Sequence, residues 1–206
     1  MVAFELDAPS DVQISLVGSG ALVTAAIRRA NCDDAEAEVE CATGFDPSVT
    51  AFNQPAGIYY AFIEGGDEAV TVTVEAFSPA SFEDSCDGDA TTLSADRPLT
   101  LSGNTTDLAD SVDGTACDAD AGGKDAVLRF RLDADALVSA VVTEADAEFE
   151  AGLSLRPADC GGAPISCGAF IASAIATDLV AGEYALVLDG VDADASGQFT
   201  VSITAE

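Results

Sequence analysis

Two acidic stretches, each containing a cysteine, hold the side chains best suited to chemistry in this sequence. They are EDSCDGD, which begins at Glu83, and CDADAGGKD, which begins at Cys117. Carboxylate oxygens at alternate positions, beside glycines that permit a tight turn, are the ligands that Ca²⁺ prefers. If the two stretches meet, we expect calcium to be bound there, although the rest of an EF-hand pattern is absent. The expected ligands are Asp87, Asp89, Asp118, Asp120 and Asp125.

The same acids also have a simpler interpretation as a solvated surface. The chain has 37 Asp and Glu against seven Lys and Arg, for a net charge of −30. Salt screens such self-repulsion, so the composition suits a saline, marine or halophilic habitat. Nucleic acids and anionic membranes need a basic surface, and we exclude both as partners. A second acidic cluster, Asp189, Asp192 and Asp194, is an alternative place for the ion.

The chain has no histidine among its 206 residues. This excludes Ser-His-Asp and Cys-His catalysis, histidine general bases and zinc sites that contain histidine. A carboxylate pair for glycoside hydrolysis stays open, but in so acidic a chain any pair of acids is uninformative. We therefore expect a protein without enzymatic activity.

Six cysteines, none in a CxxC spacing, indicate disulfides rather than a metal-thiolate site. Disulfides imply an oxidising compartment, so we expect a secreted or cell-surface protein. The start, MVAFELDAPSD, carries acids where a signal peptide carries basic residues, and we expect any export signal to lie outside this sequence. No run approaches the roughly 20 apolar residues of a membrane-spanning helix, so we expect no direct membrane insertion.

The two halves of the chain resemble each other at a nearly constant offset. VAFELDAPSDVQISLV at Val2 matches VLRFRLDADALVSAVV at Val127, and PAGIYYAFIEGG at Pro55 matches VAGEYALVLDG at Val180. The offset stays between 125 and 129 positions, with small insertions in loops. The pattern is typical of a tandem duplication. We place the first domain at residues 1–78 and the second at residues 79–206.

Apolar and polar residues alternate at period two within each copy, as in Val12, Ile14 and Leu16 or Phe199, Val201 and Ile203. Gly, Pro, Asp and Asn cluster between these runs. The predicted fold is all-β, with two tandem antiparallel β-sandwiches of jelly-roll-like form. The second copy has some forty extra residues before its matching core, including the predicted strand PLTLSGNTT. The first copy therefore lacks its N-terminal strand or strands. We expect these to lie in a segment that precedes this sequence, and the alternatives are a smaller sandwich or a strand donated from elsewhere.

Alignment of the copies predicts the cysteine pairing. Cys32–Cys41 and Cys160–Cys167 occupy equivalent places, each closing a short loop, which leaves Cys86 to pair with Cys117. The last bridge is the one that would bring the two acidic stretches together.

From Cys86 onward, the sequence resembles the bacterial pre-peptidase C-terminal domain family in its cysteine-containing, tandem version. The features that carry the resemblance are, in order, Cys86, the strand that ends in SGNT at Thr105, Cys117, VLRFRL at Val127, the Cys160–Cys167 loop and the hairpin AGEYALVLDG at Ala181. The resemblance implies a β-sandwich accessory module of a larger exported protein, with a protein or polysaccharide as ligand. The alternative is a structural or adhesin subunit that self-associates by β-strand donation, motivated by the incomplete first copy.

Overall fold

The computed structural model describes residues 1–29, 37–66, 69–112, 117, 123–146, 149–168, 174–192 and 195–206. The chain is an all-β protein in which sheets pack face to face as sandwiches. It divides into two compact units, Met1–Pro79 and Ala80–Glu206, whereas the repeat pattern placed the division between residues 78 and 79.

The described residues of unit 1 form seven strands in two antiparallel sheets. They are β1 (Val2–Leu6), β2 (Ser10–Val17), β3 (Val23–Arg29), β4 (Glu38–Gly44), β5 (Ser48–Gln54), β6 (Gly57–Glu64) and β7 (Thr71–Phe77). One sheet has the order β1-β6-β3-β4 and the other the order β5-β2-β7. The inward residues of both sheets form one core, in which Val12, Ile14, Ile27 and Tyr59 are fully buried. The period-two pattern of β2 is therefore a buried face, as predicted.

Nine strands lie in the part of unit 2 that the structure describes. They are β8 (Thr91–Thr92), β9 (Leu99–Asn104), β10 (Asp125–Leu132), β11 (Ala136–Ala145), β12 (Ala151–Pro157), β13 (Ser166–Gly168), β14 (Ala174–Leu179), β15 (Gly182–Gly190) and β16 (Gln198–Ala205). A five-stranded sheet has the order β13-β12-β15-β10-β8, and a four-stranded sheet has the order β14-β11-β16-β9. Among these described strands, all pairings are antiparallel except that of β8 with β10.

Both faces of the central strands β10 and β15 are buried. Leu128, Phe130 and Leu186 lie on one face, while Val127 and Val187 lie on the other. On this second face Val127 and Val187 pack with Val112, Cys86 and Cys160, which belong to other segments of unit 2. The residues before β10 therefore cover the outer face of the five-stranded sheet, and we call Ala80–Val112 the opening segment.

An equivalent pair of aromatic residues on neighbouring strands occurs in each unit. Phe4 is opposite Tyr59, and Phe130 is opposite Tyr184, with ring centroids 5.7 Å and 5.8 Å apart. Each tyrosine hydroxyl donates a hydrogen bond to the carbonyl oxygen four residues earlier, that of Pro55 at 2.7 Å or Val180 at 2.9 Å. In both units the tyrosine thus links its strand, β6 or β15, to the loop that precedes that strand.

Strands β8 and β9 are the main difference between the units. In unit 2, β8 flanks β10 and β9 flanks β16, and the two strands bring Leu93, Leu99 and Leu101 into the core with exposures of 1%, 0% and 8%. The counterparts of β10 and β16 in unit 1 are β1 and β7. In the described part of unit 1, each of these two strands lies at an edge of its sheet.

Candidate functional site

The structure describes three of the five predicted calcium ligands. Asp87 and Asp89 are exposed in the opening segment, whereas Asp125 is fully buried at the start of β10. Asp118 and Asp120 lie outside the described residues. Among the residues that are described, no three Asp, Glu, Cys or His side chains are grouped so that they could hold a metal ion. The calcium hypothesis therefore depends on acids that the structure does not describe.

The carboxylate of Asp125 binds backbone amides of the opening segment. Its Oδ2 accepts hydrogen bonds from the amides of Ser111 at 2.7 Å and Val112 at 2.6 Å. Its own backbone amide donates to the carbonyl of Ala109 at 3.1 Å, and the amide of Ala109 donates to Asp84 Oδ1 at 2.6 Å. Charge-assisted bonds of this length are among the stronger hydrogen bonds in proteins. Asp125 and Asp84 thus hold residues 109–112 against the sheet.

Asp189 lies directly opposite Asp125, because β10 and β15 pair Asp125 with Asp189. Asp125 is 0% exposed and Asp189 is 5% exposed. Burial raises the pKa of Asp189 to about 8, with a further contribution from the negative charge of Asp125. Burial also raises the pKa of Asp125, although the amides of Val112 and Ser111 oppose the shift. Because the two carboxyls are buried opposite each other, ionisation of one opposes ionisation of the other, and the pair keeps a proton to higher pH than an isolated carboxyl does.

Two other charged groups act on the pair. Asp110, exposed in the opening segment, raises the pKa of both carboxyls, after the larger effect of burial. Arg156 on β12 acts in the opposite direction on Asp189. Arg156 is itself 3% exposed, and its Nε donates to Ser154 Oγ at 3.0 Å. One guanidinium therefore partly balances the acids at this end of the five-stranded sheet.

Two carboxyls with separated pKa values can store and release a proton, and in open clefts such pairs serve acid–base catalysis. Here both side chains are enclosed between the sheet and the opening segment. Ionising the second carboxyl would place two like charges in a site with little solvent, and the resulting repulsion acts on the contact between residues 109–112 and β10. The arrangement suits a proton-dependent fastening of the opening segment.

The disulfides correct the pairing predicted from the repeat. Cys86 pairs with Cys160, with Cα atoms 6.0 Å apart, and Cys117 pairs with Cys167, with Cα atoms 5.6 Å apart. The predicted Cys86–Cys117 and Cys160–Cys167 pairs were wrong. All four of these cysteines do form disulfides.

Strand register explains why the short loop does not close on itself. β13 places Cys167 opposite Ser154, while Cys160 lies beyond the end of β12 in the turn that leads to β13. Cys160 instead packs beside Cys86 on the outer face of the sheet. Both cysteines of the loop thus pair with cysteines that precede β10, at sequence separations of 74 and 50.

The remaining predicted pair lies in unit 1. Cys41 on β4 is an exposed free thiol, and Cys32 lies outside the described residues. A hydrogen bond with Glu38, together with the negative charge of that side chain, raises the pKa of the Cys41 thiol. A raised pKa lowers the thiolate fraction and makes the thiol less reactive.

An open cleft of about 490 Å³ runs along the Cys86–Cys160 bridge. Its lining includes Asp87, Ser111, Arg156 and Asp159. Of the predicted calcium ligands that the structure describes, only Asp87 lines this cleft. The cleft therefore does not bring those ligands together.

The Asp125–Asp189 pair was missed because the two residues had been assigned to different acidic clusters. A signal for it was nonetheless available. With Phe130 opposite Tyr184, an antiparallel register places the residue five positions before the Phe opposite the residue five positions after the Tyr. Arg97 is also buried, and it donates hydrogen bonds to Thr91 Oγ1 at 3.1 Å and to the carbonyl of Thr92. No pattern in the sequence indicated that this arginine is buried.

In the part of the chain that the structure describes, no helix is long and apolar enough to span a membrane. No family model matches the sequence, and no curated protein matches it.

Several solved structures show weak similarity to the chain. A crystal structure of tripeptidyl peptidase 2 aligns over 98% of this chain and 21% of its own, at 12% identity and a TM-score of 0.30. A structure of infectious bursal disease virus, Gt strain, aligns over 96% of this chain and 56% of its own, at 8% identity and a TM-score of 0.25. The VP2 subviral particle of the same virus gives 9% identity and a TM-score of 0.23, over 95% of this chain and 57% of its own. The chain thus spans from about a fifth to just over half the length of these structures.

Proposed function

We propose that this chain is a non-catalytic accessory or binding module of a larger secreted or cell-surface protein, of the pre-peptidase C-terminal kind. The observation that carries the proposal is the pair of long-range disulfides, Cys86–Cys160 and Cys117–Cys167. Cross-links of this kind form and persist in oxidising compartments. On the chain-entropy model, loops of 74 and 50 residues correspond to about 4 kcal/mol of stabilisation each.

The roles of the chemistry-bearing side chains also support a module without catalysis. Asp84 and Asp125 bind backbone amides, and four cysteines are cross-linked. The net charge of −30 favours a saline exterior and a ligand that is neutral or basic, such as a protein surface or an uncharged polysaccharide.

Export and redox state provide the test. We would fuse the chain to a reporter enzyme, direct it either to the periplasm or to the cytosol, and compare the yield of protease-resistant fusion. We expect resistant protein from the oxidising compartment and much less from the cytosol. Retention of the reporter on insoluble polysaccharides or on immobilised proteins would then identify the class of ligand. Equal stability with all four thiols reduced would contradict the proposal.

We also propose that calcium stabilises unit 2 through the acidic stretches around Cys86 and Cys117. In support, Asp87 lies beside the first bridge, and CDADAGGKD leads directly into β10. Millimolar Ca²⁺ at matched ionic strength should then add roughly 2.7 kcal/mol at a hundredfold excess over Kd. Asn at Asp118 and Asp120 should remove this gain but leave the response to NaCl unchanged. Identical melting curves in EDTA and in Ca²⁺ would end the calcium proposal.

A structural or adhesin subunit that assembles by strand donation is the second candidate. The position of β1 and β7 at the outside of their sheets in unit 1 favours it. Light scattering at high protein concentration would detect such assembly, and a strict monomer would oppose self-association.

A further inference from the structure

The outward side of the strand pair β9 and β16 is formed by polar side chains without charge. It consists of three cross-strand pairs, which we call the uncharged rows: Thr100 with Ser202, Ser102 with Thr200, and Asn104 with Gln198. These six side chains are exposed or half-buried, while the apolar residues that alternate with them point into the core of unit 2. The chain has 37 Asp and Glu to keep it soluble, so solubility alone does not account for this face of hydroxyl and amide groups.

An open cleft of about 660 Å³ lies at the end of the uncharged rows that contains Gln198. Its polar lining is formed by Ser102, Thr143, Glu144, Asp146, Gln198 and Thr200. The volume falls within the roughly 300 to 1,000 Å³ that is usual for ligand sites in proteins. Hydroxyls, an amide and two carboxylates therefore surround a space large enough for a small ligand or for one part of a polymer.

A β-bulge in β11 forms one wall of this cleft. The two strands pair Val142 with Val201 but Glu144 with Thr200, so Thr143 is the extra residue of β11. Both Thr143 and Glu144 are exposed and line the cleft. Thr143 Oγ1 also donates a hydrogen bond to the carbonyl oxygen of Thr200 at 3.2 Å. The bulge therefore brings a hydroxyl and a carboxylate to the cleft from consecutive residues.

The fold does not require this bulge. In unit 1 the strands that correspond to β11 and β16 are β2 and β7, and they pair without a register shift from Asp11 opposite Phe77 to Val17 opposite Thr71. Corresponding strands of the other unit thus form a regular ladder where unit 2 has the cleft. The bulge needs an explanation outside the packing of the sandwich, and bulges are common beside binding sites.

Hydrogen bonds fix the polar groups of the cleft in place. Ser102 Oγ and Thr200 Oγ1 lie 3.0 Å apart, within hydrogen-bond distance. Asp146 Oδ2 accepts a hydrogen bond from the backbone amide of Gln198 at 2.8 Å, and the amide of Asp146 donates to the carbonyl oxygen of Gln198 at 3.0 Å. Groups that are ordered before binding lose little entropy when a ligand arrives.

We propose that the cleft and the uncharged rows bind an uncharged polysaccharide. Sugar hydroxyls both donate and accept hydrogen bonds, and the side chains of Ser, Thr, Asn and Gln do the same. The carboxylates of Glu144 and Asp146 add strong acceptors for sugar hydroxyls. This inference rests on the binding role proposed above and deepens it, since it names the site and the class of ligand.

Charge favours a neutral polysaccharide over an anionic polysaccharide or a basic peptide. The net charge of −30 repels an anionic polymer. A basic peptide would be attracted by acids over the whole surface, whereas the uncharged rows offer it no opposite charge. None of the six side chains in the rows has an aromatic ring for stacking, so we expect weak binding of a short oligosaccharide, with a Kd on the order of 1 mM.

Affinity electrophoresis of the full chain in native gels provides the test, because its negative charge drives it toward the anode. Each gel contains one uncharged polysaccharide: hydroxyethyl cellulose, dextran, galactomannan or glycogen. Carboxymethyl cellulose is the matched control for the first, since it has the same backbone with added negative charge. We expect at least one uncharged polysaccharide to retard the chain relative to a non-binding protein, and carboxymethyl cellulose not to retard it.

Two variants test whether the cleft is the binding site. Thr200→Val removes a hydroxyl with little change of shape, and Glu144→Gln removes the charge of a carboxylate. Their matched controls are Thr73→Val and Glu75→Gln, which make the same changes at exposed positions on β7. We expect the Kd to rise about three- to tenfold in each cleft variant and to stay unchanged in both controls. Circular dichroism would check that all the variants are folded.

The proposal would be overturned by the absence of retardation in every uncharged polysaccharide. Equal retardation of the cleft variants and their controls would also overturn it, because the ligand would then bind elsewhere. A third contrary result is binding of an oligoarginine peptide that Glu144→Gln weakens and Thr200→Val does not, which would assign the cleft to a basic group. These results do not depend on compartment or disulfides, so the accessory-module proposal would stand or fall separately.

Discussion

Replacement of Asp189 by Asn should remove part of the pH dependence of the free energy of unfolding. Asp189 has a pKa of about 8 in the folded protein, against an ordinary value of 3.8. Because the folded pKa is raised, the stabilisation is complete at pH values below the unfolded pKa and is lost as the pH rises through the folded pKa. The wild-type chain should therefore lose stability between about pH 4 and about pH 8.

The size of the effect follows from proton linkage. In this window the unfolded chain has released the proton and the folded chain keeps it, so the free energy of unfolding falls by up to about 1.4 kcal/mol per pH unit. Two pH units correspond to about 2 to 3 kcal/mol, a large share of the 5 to 15 kcal/mol typical of whole domains. Asp125 shifts in the same direction and adds to the slope.

Urea unfolding at fixed ionic strength, followed by circular dichroism, measures this dependence. Asp189→Asn has nearly the same shape and does not ionise, so its curve should be flatter and should rise above the wild-type curve at high pH. Asp192→Asn is the matched control, because it makes the same substitution at an exposed position on the adjoining turn. Parallel curves for wild type and Asp189→Asn would refute the reasoning about the pair.

Two further predictions concern unit 2. Peptide mapping without reduction should recover Cys86 joined to Cys160 and Cys117 joined to Cys167, whereas a Cys86–Cys117 peptide would restore the pairing predicted from the repeat. Gly103→Ala should destabilise unit 2 by about 1 to 3 kcal/mol in urea unfolding, because the added methyl group would overlap an aromatic ring packed on the glycine. An unchanged midpoint would show that the ring moves aside at little cost.

The alternation of apolar residues was sufficient to predict the strands, since it depends on local spacing alone. Val12, Ile14 and Leu16 are buried on one face of β2, and Phe199, Val201 and Ile203 on one face of β16, as predicted. The sequence repeat aligns Phe4 with Phe130 and Tyr59 with Tyr184. In each unit the structure places this phenylalanine directly opposite this tyrosine, in agreement with the repeat. The duplication itself stays a prediction that these correspondences support.

The disulfides could not be predicted in the same way, because a pairing is a property of distance in space. Alignment showed that Cys160 and Cys167 correspond to Cys32 and Cys41, and proximity in sequence then suggested closed loops. The alignment of the two copies did not include the opening segment of unit 2, which carries Cys86. The local pattern was equivalent in the two copies, but the available partners were not.

The candidate acids show the same limit for electrostatics. Sequence spacing grouped Asp125 with the acids that precede it, yet its buried position results from the pairing of β10 with β15. Its oxygen contacts are backbone amides of the opening segment, which no spacing rule predicts. A register argument from Phe130 and Tyr184 would have found Asp189 as its neighbour, although not the burial that shifts the pKa.

The opening segment accounts for most of what distinguishes the two units. It continues through β8 and β9 to complete both sheets, and Cys86 before β8 and Val112 after β9 cover the outer face of β10 and β15. Cys86 cross-links it to the turn after β12, and Asp125, which lies opposite Asp189, binds its last residues through its carboxylate. Reduction and alkaline pH therefore act on the same contact, one by removing a covalent link and the other by adding a buried charge. Release of this segment would therefore uncover an edge of each sheet in unit 2.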